Sequence, residues 1–490
     1  MKVSGDVCLD SDPVQEFAFF VTSGRRFRRK EECMEPSKRG RRKTAARLLP
    51  VLHPDAAGID VGAEEVYVAV PPDRTEQSVR SFGTFTRDLR DLCNWLHNCG
   101  VRTVAMESTG VYWIALFQML ETCGFEVFLV NASHVKNVPG RKSDVSDCQW
   151  IQYLHSVGLL KASFRPPDEI CVLRSLWRHR EGLLQMASEH TQQMQKALTQ
   201  MNLQLHHVLS DITGVSGIAI LDAILAGERN PLRLAALCNR RVRSPREIVA
   251  KSLEGDYRSE HLFALRQSLT AYRFYRGLMA EVDAEIEMHL RAMPASASAQ
   301  PKRPSGTKKR IYQRAGNEPA FDLKSELYRI AGVDLTDVPG LSTLTAHTII
   351  MEIGANVSRF RNASAFASWL GLCPEKKISG GKVLHSQTRH VKNRAAIALR
   401  LGAQCLYHAN NHLGEYYRKA KWRLGPPAAV TATAHKLARI VYHLLSTKQP
   451  YSDEIFHKAD ILSKARAENR LRQQAAALGF RLSPATNPTL

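Results

Sequence analysis

The first folded part of the chain alternates short β-type runs with helical spacing. Two apolar runs, Ile59–Val61 and Val66–Val70, flank the turn Gly62-Ala63-Glu64-Glu65 and predict a β-hairpin. Two more strands and two helices follow from the same kind of pattern: strands Arg102–Met106 and Glu126–Val130, and helices Val111–Cys123, closed by Gly124, and Ser143–Leu160, with Ser143 as N-cap. This alternation predicts an α/β domain.

A longer helical pattern follows, with apolar side chains at alternating intervals of four and three residues: Leu183, Ala187, Met194, Ala197 and Met201. His190 occupies one position of this seam, and Gln204 breaks the pattern. The spacing predicts a long helix with coiled-coil character. Such a seam favours a partner helix and therefore assembly beyond the monomer.

The patterns divide the chain into six segments. A second helical stretch, Glu260–Met293, precedes a Pro/Ser/Lys-rich linker, and a compact, mostly helical part runs from Leu323 to about Leu445. The predicted segments are a flexible basic extension (1–50), the α/β domain (51–165), the helical coiled-coil segment (166–293), a linker (294–322), a C-terminal domain (323–450), and a charged helix over Asp453–Leu478 with its tail (451–490).

Composition places the chain in the globular class. Of the 490 residues, 44% are hydrophobic and 23% charged, which excludes a disordered tail or a collagen-like fibre. No run of eighteen apolar residues and no signal-peptide pattern is present, so a soluble chain outside the membrane is expected. Ten cysteines without a CxxC pair fit reduced, mostly buried thiols in a reducing cytosol.

The net charge of +21 predicts a polyanionic partner. The charge is uneven, because residues 51–160 hold 13 acids and 8 bases whereas residues 376–423 hold 11 bases and one acid. Carboxylates held for a divalent metal, beside basic surfaces that hold phosphates, would explain this contrast. Basic clusters at residues 25–30 and 38–43 have three open interpretations: a nucleic-acid-binding arm, a solvated extension, or a misplaced start codon.

Four acids of the α/β domain form a candidate metal site. Asp60 lies in the first predicted strand and Glu107 at the end of a later one, where α/β domains present working groups. Asp144 and Asp147 are three residues apart in a first helical turn, so both point from one face. Singly, each acid is explained as a turn or helix-start residue. Jointly, in this order, they favour an RNase H-like nuclease site with two Mg²⁺ ions.

The C-terminal domain contains a candidate hairpin and a candidate nucleophile. Asp337-Val338-Pro339-Gly340-Leu341, between helical stretches Leu323–Ala331 and Thr343–Ile353, predicts a helix-hairpin-helix in which Gly340 offers backbone N–H groups to phosphate. After the apolar helix Ala363–Leu370, Pro374–Lys382 is interpreted as a small flexible loop. Its Ser379, beside two glycines and among cations, is either a nucleophile toward a phosphodiester or a phosphate-contacting turn serine.

Basic and aromatic side chains interleave after this loop, a pattern typical of nucleic-acid binding. The candidate contacts, besides Gly340, are Lys382, then Arg389, Lys392, Arg394 and Arg400 on one predicted helix, and finally Tyr416-Tyr417-Arg418-Lys419 and Lys436, which lies with His435 and Arg439 in Thr431–Leu445. His408 and His412 have the spacing of a zinc pair, but without a glutamate base or cysteine partner they are interpreted as core or solvated histidines.

These motifs resemble those of the DEDD transposases of bacterial insertion sequences, the family numbered one hundred and ten. The first half carries three of them: Gly58-Ile59-Asp60-Val61, Met106-Glu107-Ser108-Thr109-Gly110-Val111-Tyr112-Trp113 and Arg141-Lys142-Ser143-Asp144-Val145-Ser146-Asp147. The second half carries several more: Asp337–Leu341, Phe366–Pro374, Ser379–Lys382, Val391–Arg394 with Leu399–Leu401, and Ala432–Ala438. The resemblance covers about residues 50–480.

The resemblance implies a RuvC-like first domain whose Asp60, Glu107, Asp144 and Asp147 bind Mg²⁺, and a C-terminal domain whose Ser379 forms a covalent phosphoserine link to DNA. It also implies a recombinase guided by a structured bridge RNA that pairs with donor and target DNA. The expected assembly is a homo-oligomer, a dimer or tetramer, in the bacterial cytoplasm at the nucleoid. Two departures are Ser342, where the hairpin often has a second glycine, and the long basic extension.

Two rival functions stay open. In a Holliday-junction-type endonuclease the four acids would cut by water attack and Ser379 would only contact phosphate. A non-enzymatic nucleic-acid-binding protein would use the acids structurally and would bind equally well without divalent metal. A trapped protein–DNA adduct distinguishes the recombinase from both.

Overall fold

The computed structural model describes residues 50–108, 110–131, 144–297, 317–389, 391, 393–453, 465 and 468–481. Backbone contacts divide the chain into two compact units, Met1–Ser163 and Phe164–Leu490. The predicted basic extension up to residue 49, most of the predicted linker and the start of the final charged helix lie outside the described residues. No helix in the described ranges is long and apolar enough to cross a membrane.

The first unit is built on a mixed five-stranded sheet. Its strands are β1 (Ala56–Val61), β2 (Glu65–Ala69), β3 (Val79–Gly83), β4 (Thr103–Glu107) and β5 (Glu126–Val130). They lie in the order β3-β2-β1-β4-β5, with β1, β2 and β3 antiparallel and with β4 and β5 continuing the sheet from β1 as parallel strands. The predicted hairpin and the two later strands are confirmed, and β3 is an additional edge strand.

Within the described part of this unit, helices cover both faces of the sheet: α1 (Thr86–Asn98), α2 (Trp113–Thr122) and α3 (Asp144–Ser156). α1 and α2 share one apolar cluster with Ile59 and Met106. On the other face, Ile151 of α3 packs with Ala105 and Val130. α3 ends before the predicted Leu160, because Gly158 adopts a left-handed conformation with φ of 69°.

Gly58 of β1 lies where the sheet and α3 approach closely. A Cβ atom at this position would lie 2.2 Å from the amide nitrogen of Gln152 and 2.3 Å from the carbonyl oxygen of Cys148. Because these are backbone atoms, α3 itself would have to move. We expect Gly58→Ala to lower the free energy of unfolding by about 1–3 kcal/mol, measured as a lower urea midpoint.

Gly182→Ala is the matched control for this prediction. Gly182 lies within the helix Asp168–Gln200 of the second unit, and no atom lies within 4 Å of its Cβ position. Alanine there removes backbone entropy from the unfolded chain without a clash, so the urea midpoint should stay or rise slightly. A Gly58→Ala midpoint equal to that of the wild type would contradict the close packing of β1 on α3.

The second unit begins with a pair of long helices, α4 (Asp168–Gln200) and a helix separated from it by four short helices. The short helices are α5 (Leu205–Val208), α6 (Val215–Leu225), α7 (Pro231–Ala236) and α8 (Arg246–Lys251), and the second long helix is α9 (Ser259–Ala292). α4 and α9 run antiparallel, because Leu173 clusters with Leu290 at one end and Met194 with Leu265 at the other.

The predicted seam of α4 is buried by its own chain. Leu183, Ala187, Met194, Ala197 and Met201 are all 5% exposed or less. At the half-buried His190, the imidazole stacks on the ring of Tyr275 from α9, with 5.5 Å between centroids. α9 of the same chain thus supplies a partner helix for this seam, and assembly beyond the monomer stays a prediction.

A buried ion pair joins the two long helices at mid-length. Arg180 of α4 donates from Nε and Nη2 to both carboxylate oxygens of Asp283 on α9, and from Nη1 to the carbonyl oxygen of Asn317. Arg180 is 2% exposed and Asp283 6% exposed. Removing either partner alone would leave an uncompensated buried charge, so the pair fixes the register of α4 on α9.

The rest of the second unit is mostly helical, as predicted. Its helices are α10 (Leu323–Ala331), α11 (Thr343–Ile353), α12 (Ala363–Trp369), α13 (Arg394–Cys405), α14 (His412–Leu424) and α15 (Pro426–Thr447). The two helices of the predicted hairpin, α10 and α11, have the predicted bounds. The strands β6 (Pro374–Ser379) and β7 (Lys382–Thr388) form a separate antiparallel pair.

Two predictions for this part of the chain are wrong. Pro374–Lys382 is a β-hairpin, β6 with the turn into β7, instead of a flexible loop, because Gly380 and Gly381 both adopt positive φ and close a two-residue turn. Arg389 lies between β7 and α13 instead of on a helix with Arg394 and Arg400.

Candidate active site

Asp60 and Glu107 lie side by side on the central strands of the first unit. β1 and β4 are parallel, with Gly58 opposite Ala105 and Ile59 opposite Met106. The next position of each strand is therefore Asp60 on β1 and Glu107 on β4. Because side chains alternate along a strand, both acids share the face of Gly58 and Ala105, which is the face that α3 covers.

The helix α3 brings a third acid to this layer. Cys148 is completely buried between α3 and the sheet. Burial, with smaller contributions from the negative charges of Asp60 and Asp147, raises the pKa of its thiol to about 11. Asp60 of β1 and Asp147 of α3 thus both act on the one buried thiol between their elements.

The surroundings of the acids differ in their access to solvent. Glu107 is 7% exposed, while Asp60 and Asp147 are half-buried. Asp144 is the first residue of α3, and its side chain lies outside the described atoms. Among the side chains that are described, no group of three or more His, Cys, Asp or Glu residues is close enough together to hold a metal ion.

The donor set fits a hard divalent cation. Asp60, Glu107 and Asp147 offer only carboxylate oxygens, which are the protein ligands that Mg²⁺ prefers. Asp144 is the first residue of α3 and stands one helical turn before Asp147. That the four acids together hold a metal ion stays a prediction.

Ser379 is the last residue of β6, at the tip of the hairpin in the second unit. It pairs with Lys382, the first residue of β7, across the turn of Gly380 (φ 54°) and Gly381 (φ 76°). All four residues are exposed. The hydroxyl of Ser379 is thus presented at the tip of the hairpin, close to the cation of Lys382 and directly before two glycines that leave room for another molecule's backbone.

The predicted nucleic-acid contacts of the second unit have different surroundings. Arg389 donates to the carbonyl oxygen of Ser368 at 2.6 Å, and Arg394 forms an ion pair with Glu181 of α4. Arg400 is half-buried on α13, and Lys392 lies outside the described residues. The charge of Arg394 is therefore used within the chain, while Lys382 and Arg389 keep theirs beside the hairpin.

Gly340 packs against another helix of the same unit. It has φ of 90°, and a Cβ there would lie 2.6 Å from the carbonyl oxygen of Gly402 on α13. Ser342, at the departure from the resembled pattern, is the N-cap of α11 and accepts from the amide of Thr345 at 3.2 Å. The turn is thus explained by packing and capping, and its phosphate contact stays a prediction.

The basic and aromatic residues near the end of the unit lie on α14 and α15. The ammonium group of Lys436 stands 4.3 Å from the ring centroid of Tyr416, which joins the two helices. His408 ends a short 3-10 turn, and His412 begins α14, so they do not share a helix face. Trp422 of α14 is 91% exposed and was not among the predicted contacts, although its helical position among charged residues was a usable signal.

Comparison with known proteins gives two matches to family descriptions and one to a curated protein. Residues 57–203 match the DEDD transposase model of IS110, described as a transposase, and residues 333–418 match the Transposase IS116/IS110/IS902 family. A protein of Sinorhizobium fredii (strain NBRC 101917 / NGR234), named "Putative transposase y4pF/y4sB", is 28% identical over 124 residues. That match covers 24% of this chain and 32% of the relative, about a third of its length.

Proposed function

The chain belongs to the IS110 family of transposases, and from that premise we propose that it cuts and rejoins DNA as the recombinase of an insertion sequence. The two matched regions contain both sets of candidate catalytic residues. Asp60, Glu107, Asp144 and Asp147 fall in residues 57–203, and Ser379 falls in residues 333–418. The proposal therefore assigns the acids and the serine to one reaction.

The topology of the first unit supports an RNase H-like, RuvC-like assignment. Three antiparallel strands are followed by two parallel ones, and helices cover both faces of the sheet. The observation that carries the proposal is the adjacency of Asp60 and Glu107 on β1 and β4, facing the helix that bears Asp144 and Asp147. Nucleases that use two metal ions need such a convergence of carboxylates from strands and a helix.

The four acids would hold Mg²⁺, which when bound polarises the scissile phosphate and stabilises the leaving oxygen. Asp60 and Glu107 are held by the pairing of their strands, and the backbone of α3 is held by its packing on Gly58. The sheet backs this site on one side. The carboxylates would therefore be preorganised, and a phosphate bound through the metal would be held in one orientation.

Ser379 would act as the nucleophile. As its Oγ bonds to phosphorus the serine hydroxyl would give up its proton, the bond between phosphorus and the 3′-oxygen of the DNA would break, and that oxygen would take up a proton to become a 3′-hydroxyl. Lys382, which pairs with Ser379 across the turn, would balance the charge that develops on the phosphoryl oxygens. The phosphoserine conserves the phosphodiester bond energy, so a 3′-hydroxyl of another strand can reverse the step and complete the exchange.

A covalent adduct tests this function directly. The purified chain is incubated with labelled DNA from the ends of its element, RNA transcribed from the flanking non-coding sequence, and Mg²⁺, and is then separated on a denaturing gel. We expect a labelled band that migrates with the protein and disappears after proteolysis. Cleavage without any such band would favour the endonuclease that uses water, and binding without cleavage would favour the non-enzymatic protein.

We further propose that a structured bridge RNA from the element binds this chain and pairs with donor and target DNA. The net charge of +21 and the 11 bases of residues 376–423 support a polyanionic partner of this kind. The homo-oligomer, a dimer or tetramer, rests on family membership alone, because the α4 seam is already filled by α9.

RNA affinity is expected to depend strongly on salt, because each phosphate that is neutralised releases counterions. If about 6–10 phosphates are contacted, the association constant should fall by about 10³–10⁵ between 50 and 200 mM salt. Fluorescence anisotropy with the flanking RNA measures this, and light scattering shows whether RNA raises the particle mass above one chain. An affinity that is insensitive to salt, with a mass that stays at one chain, would contradict the proposal.

A further inference from the structure

Trp422 has no visible role in holding α14 in place. The buried face of α14 consists of Leu413, Gly414, Tyr417 and Ala420, and Trp422 projects from the opposite side with 91% of its surface exposed. Burial of an indole ring is worth several kcal/mol to a fold, so an exposed ring contributes little to stability. The exposed position of Trp422 is therefore better explained by a binding partner that covers the ring than by the folding of this chain.

Cations surround Trp422 on the exposed side of the helix. Arg418, Lys419 and Arg423 lie on this side, and a groove of about 590 Å³ is lined by side chains of α14 alone among the described residues. We call this surface, made of Tyr416, Arg418, Lys419, Trp422 and Arg423, the α14 face. The one acid of the helix is Glu415, which pairs with Lys419 at 2.5 Å.

Neutral partners hold two cations of α14, Arg418 and Lys421, in position and leave their charge available. Arg418 donates to the carbonyl oxygens of Tyr407 and Ala409, at 3.1 and 2.9 Å. The Nζ atom of Lys421 lies 4.1 Å from the ring centroid of Tyr407. The guanidinium of Arg418 is therefore ordered without a carboxylate, an arrangement that suits an external anion.

We propose that the α14 face binds an unpaired DNA strand, with a base stacked on Trp422 and phosphates held by Arg418 and Arg423. A flat aromatic ring among cations matches the two surfaces of such a strand, the faces of its bases and its phosphates. In a duplex each base face is covered by the neighbouring base pair. The indole ring of Trp422 could therefore contact only the backbone of a duplex. The inference rests on the proposed function, because strand exchange is what leaves DNA unpaired beside the protein.

A binding assay in EDTA separates this inference from catalysis. Fluorescein-labelled single-stranded DNA of mixed sequence, the matching duplex and an RNA of the same sequence are titrated with full-length wild type and variants. Trp422→Ala should bind single-stranded DNA about tenfold more weakly, with duplex affinity unchanged. Trp422→Phe keeps an aromatic face and should recover most of the affinity. Phe263→Ala, on the exposed side of α9 with 62% exposure, is the control and should change nothing.

Tryptophan emission reports the contact itself. The difference in emission between wild type and Trp422→Phe isolates Trp422, and single-stranded DNA should quench that difference while duplex should not. Unchanged single-strand affinity in Trp422→Ala, equal losses for duplex, or preference for RNA over DNA would each overturn the proposal. A variant that changes only the particle mass would assign the surface to a second copy of the chain. If Trp422 binds single-stranded DNA but the protein does not cut DNA, the proposed function is contradicted and the binding inference is not.

Discussion

Asp147→Asn is expected to abolish strand cleavage while leaving DNA and RNA binding close to wild type. Asparagine has almost the same shape as aspartate but lacks the negative charge that a divalent cation requires. A bound metal contributes several kcal/mol of transition-state stabilisation, and each 1.4 kcal/mol is tenfold in rate, so a loss of about a hundredfold or more is expected. Cleavage of labelled element-end DNA in Mg²⁺ measures the rate, and anisotropy measures binding.

Asp91→Asn is the matched control for this loss. Asp91 lies on the exposed side of α1, which packs on the sheet face opposite to α3. The same change of charge there should leave cleavage unaltered, which separates the site from a general effect of net charge. Wild-type cleavage by Asp147→Asn, or by the wild-type chain in EDTA, would contradict the metal site. Parallel losses in cleavage and binding would point to an effect on folding instead.

The fold of the first unit was largely predictable, because its central strands are apolar runs. β3 was missed since Arg80 and Ser81 are exposed on a sheet edge, so no apolar alternation marks it. α1 carried a usable pattern, with Leu89, Leu92 and Leu96 at helical intervals and all three buried. Elements at the edge of the sheet bury one side alone and so have weak hydrophobic patterns. The central strands that carry Asp60 and Glu107 have strong ones.

Several features of the second unit could not be predicted from its hydrophobic pattern. The heptad-like spacing of α4 predicted an apolar seam, but no sequence period states which chain supplies the helix that fills it, and the answer is α9. The Gly380-Gly381 pair was a hairpin signal, yet polar flanks such as Glu375 and Gln387 hid both strands. The ion pair of Arg394 with Glu181 depends on the packing of α13 near α4, which only the folded chain determines.

Ser379→Ala is expected to bind DNA and RNA normally, to lose recombination, and to yield no covalent adduct. The substitution removes one exposed oxygen atom from a hairpin whose strands and glycine turn do not depend on it, so the fold should be unaffected. Loss of a nucleophile that nothing replaces should lower the rate by about a thousandfold or more. Denaturing gels with end-labelled DNA measure the adduct, and sequencing of joined products measures recombination.

Ser386→Ala is the matched control within the same hairpin. Ser386 is an exposed serine of β7, so the same deletion tests whether any hydroxyl of this surface is needed. We expect it to form the adduct at the wild-type rate. Ser379→Cys should retain weak adduct formation, since a thiolate is a competent nucleophile toward phosphorus although its sulfur is larger and softer than oxygen.

The serine variants also decide between the two ways in which carboxylates and a serine can share a reaction. If water is the nucleophile, the acids suffice, and Ser379→Ala should still nick DNA at the wild-type rate. If Ser379 attacks, both Ser379→Ala and Asp147→Asn stop the first step, and the double variant should be no slower than either single one, because the two residues act on the same phosphate. Additive free-energy losses in the double variant would mean that the acids and the serine contribute independently, and the proposal that they act as one unit on one phosphate would have to be abandoned.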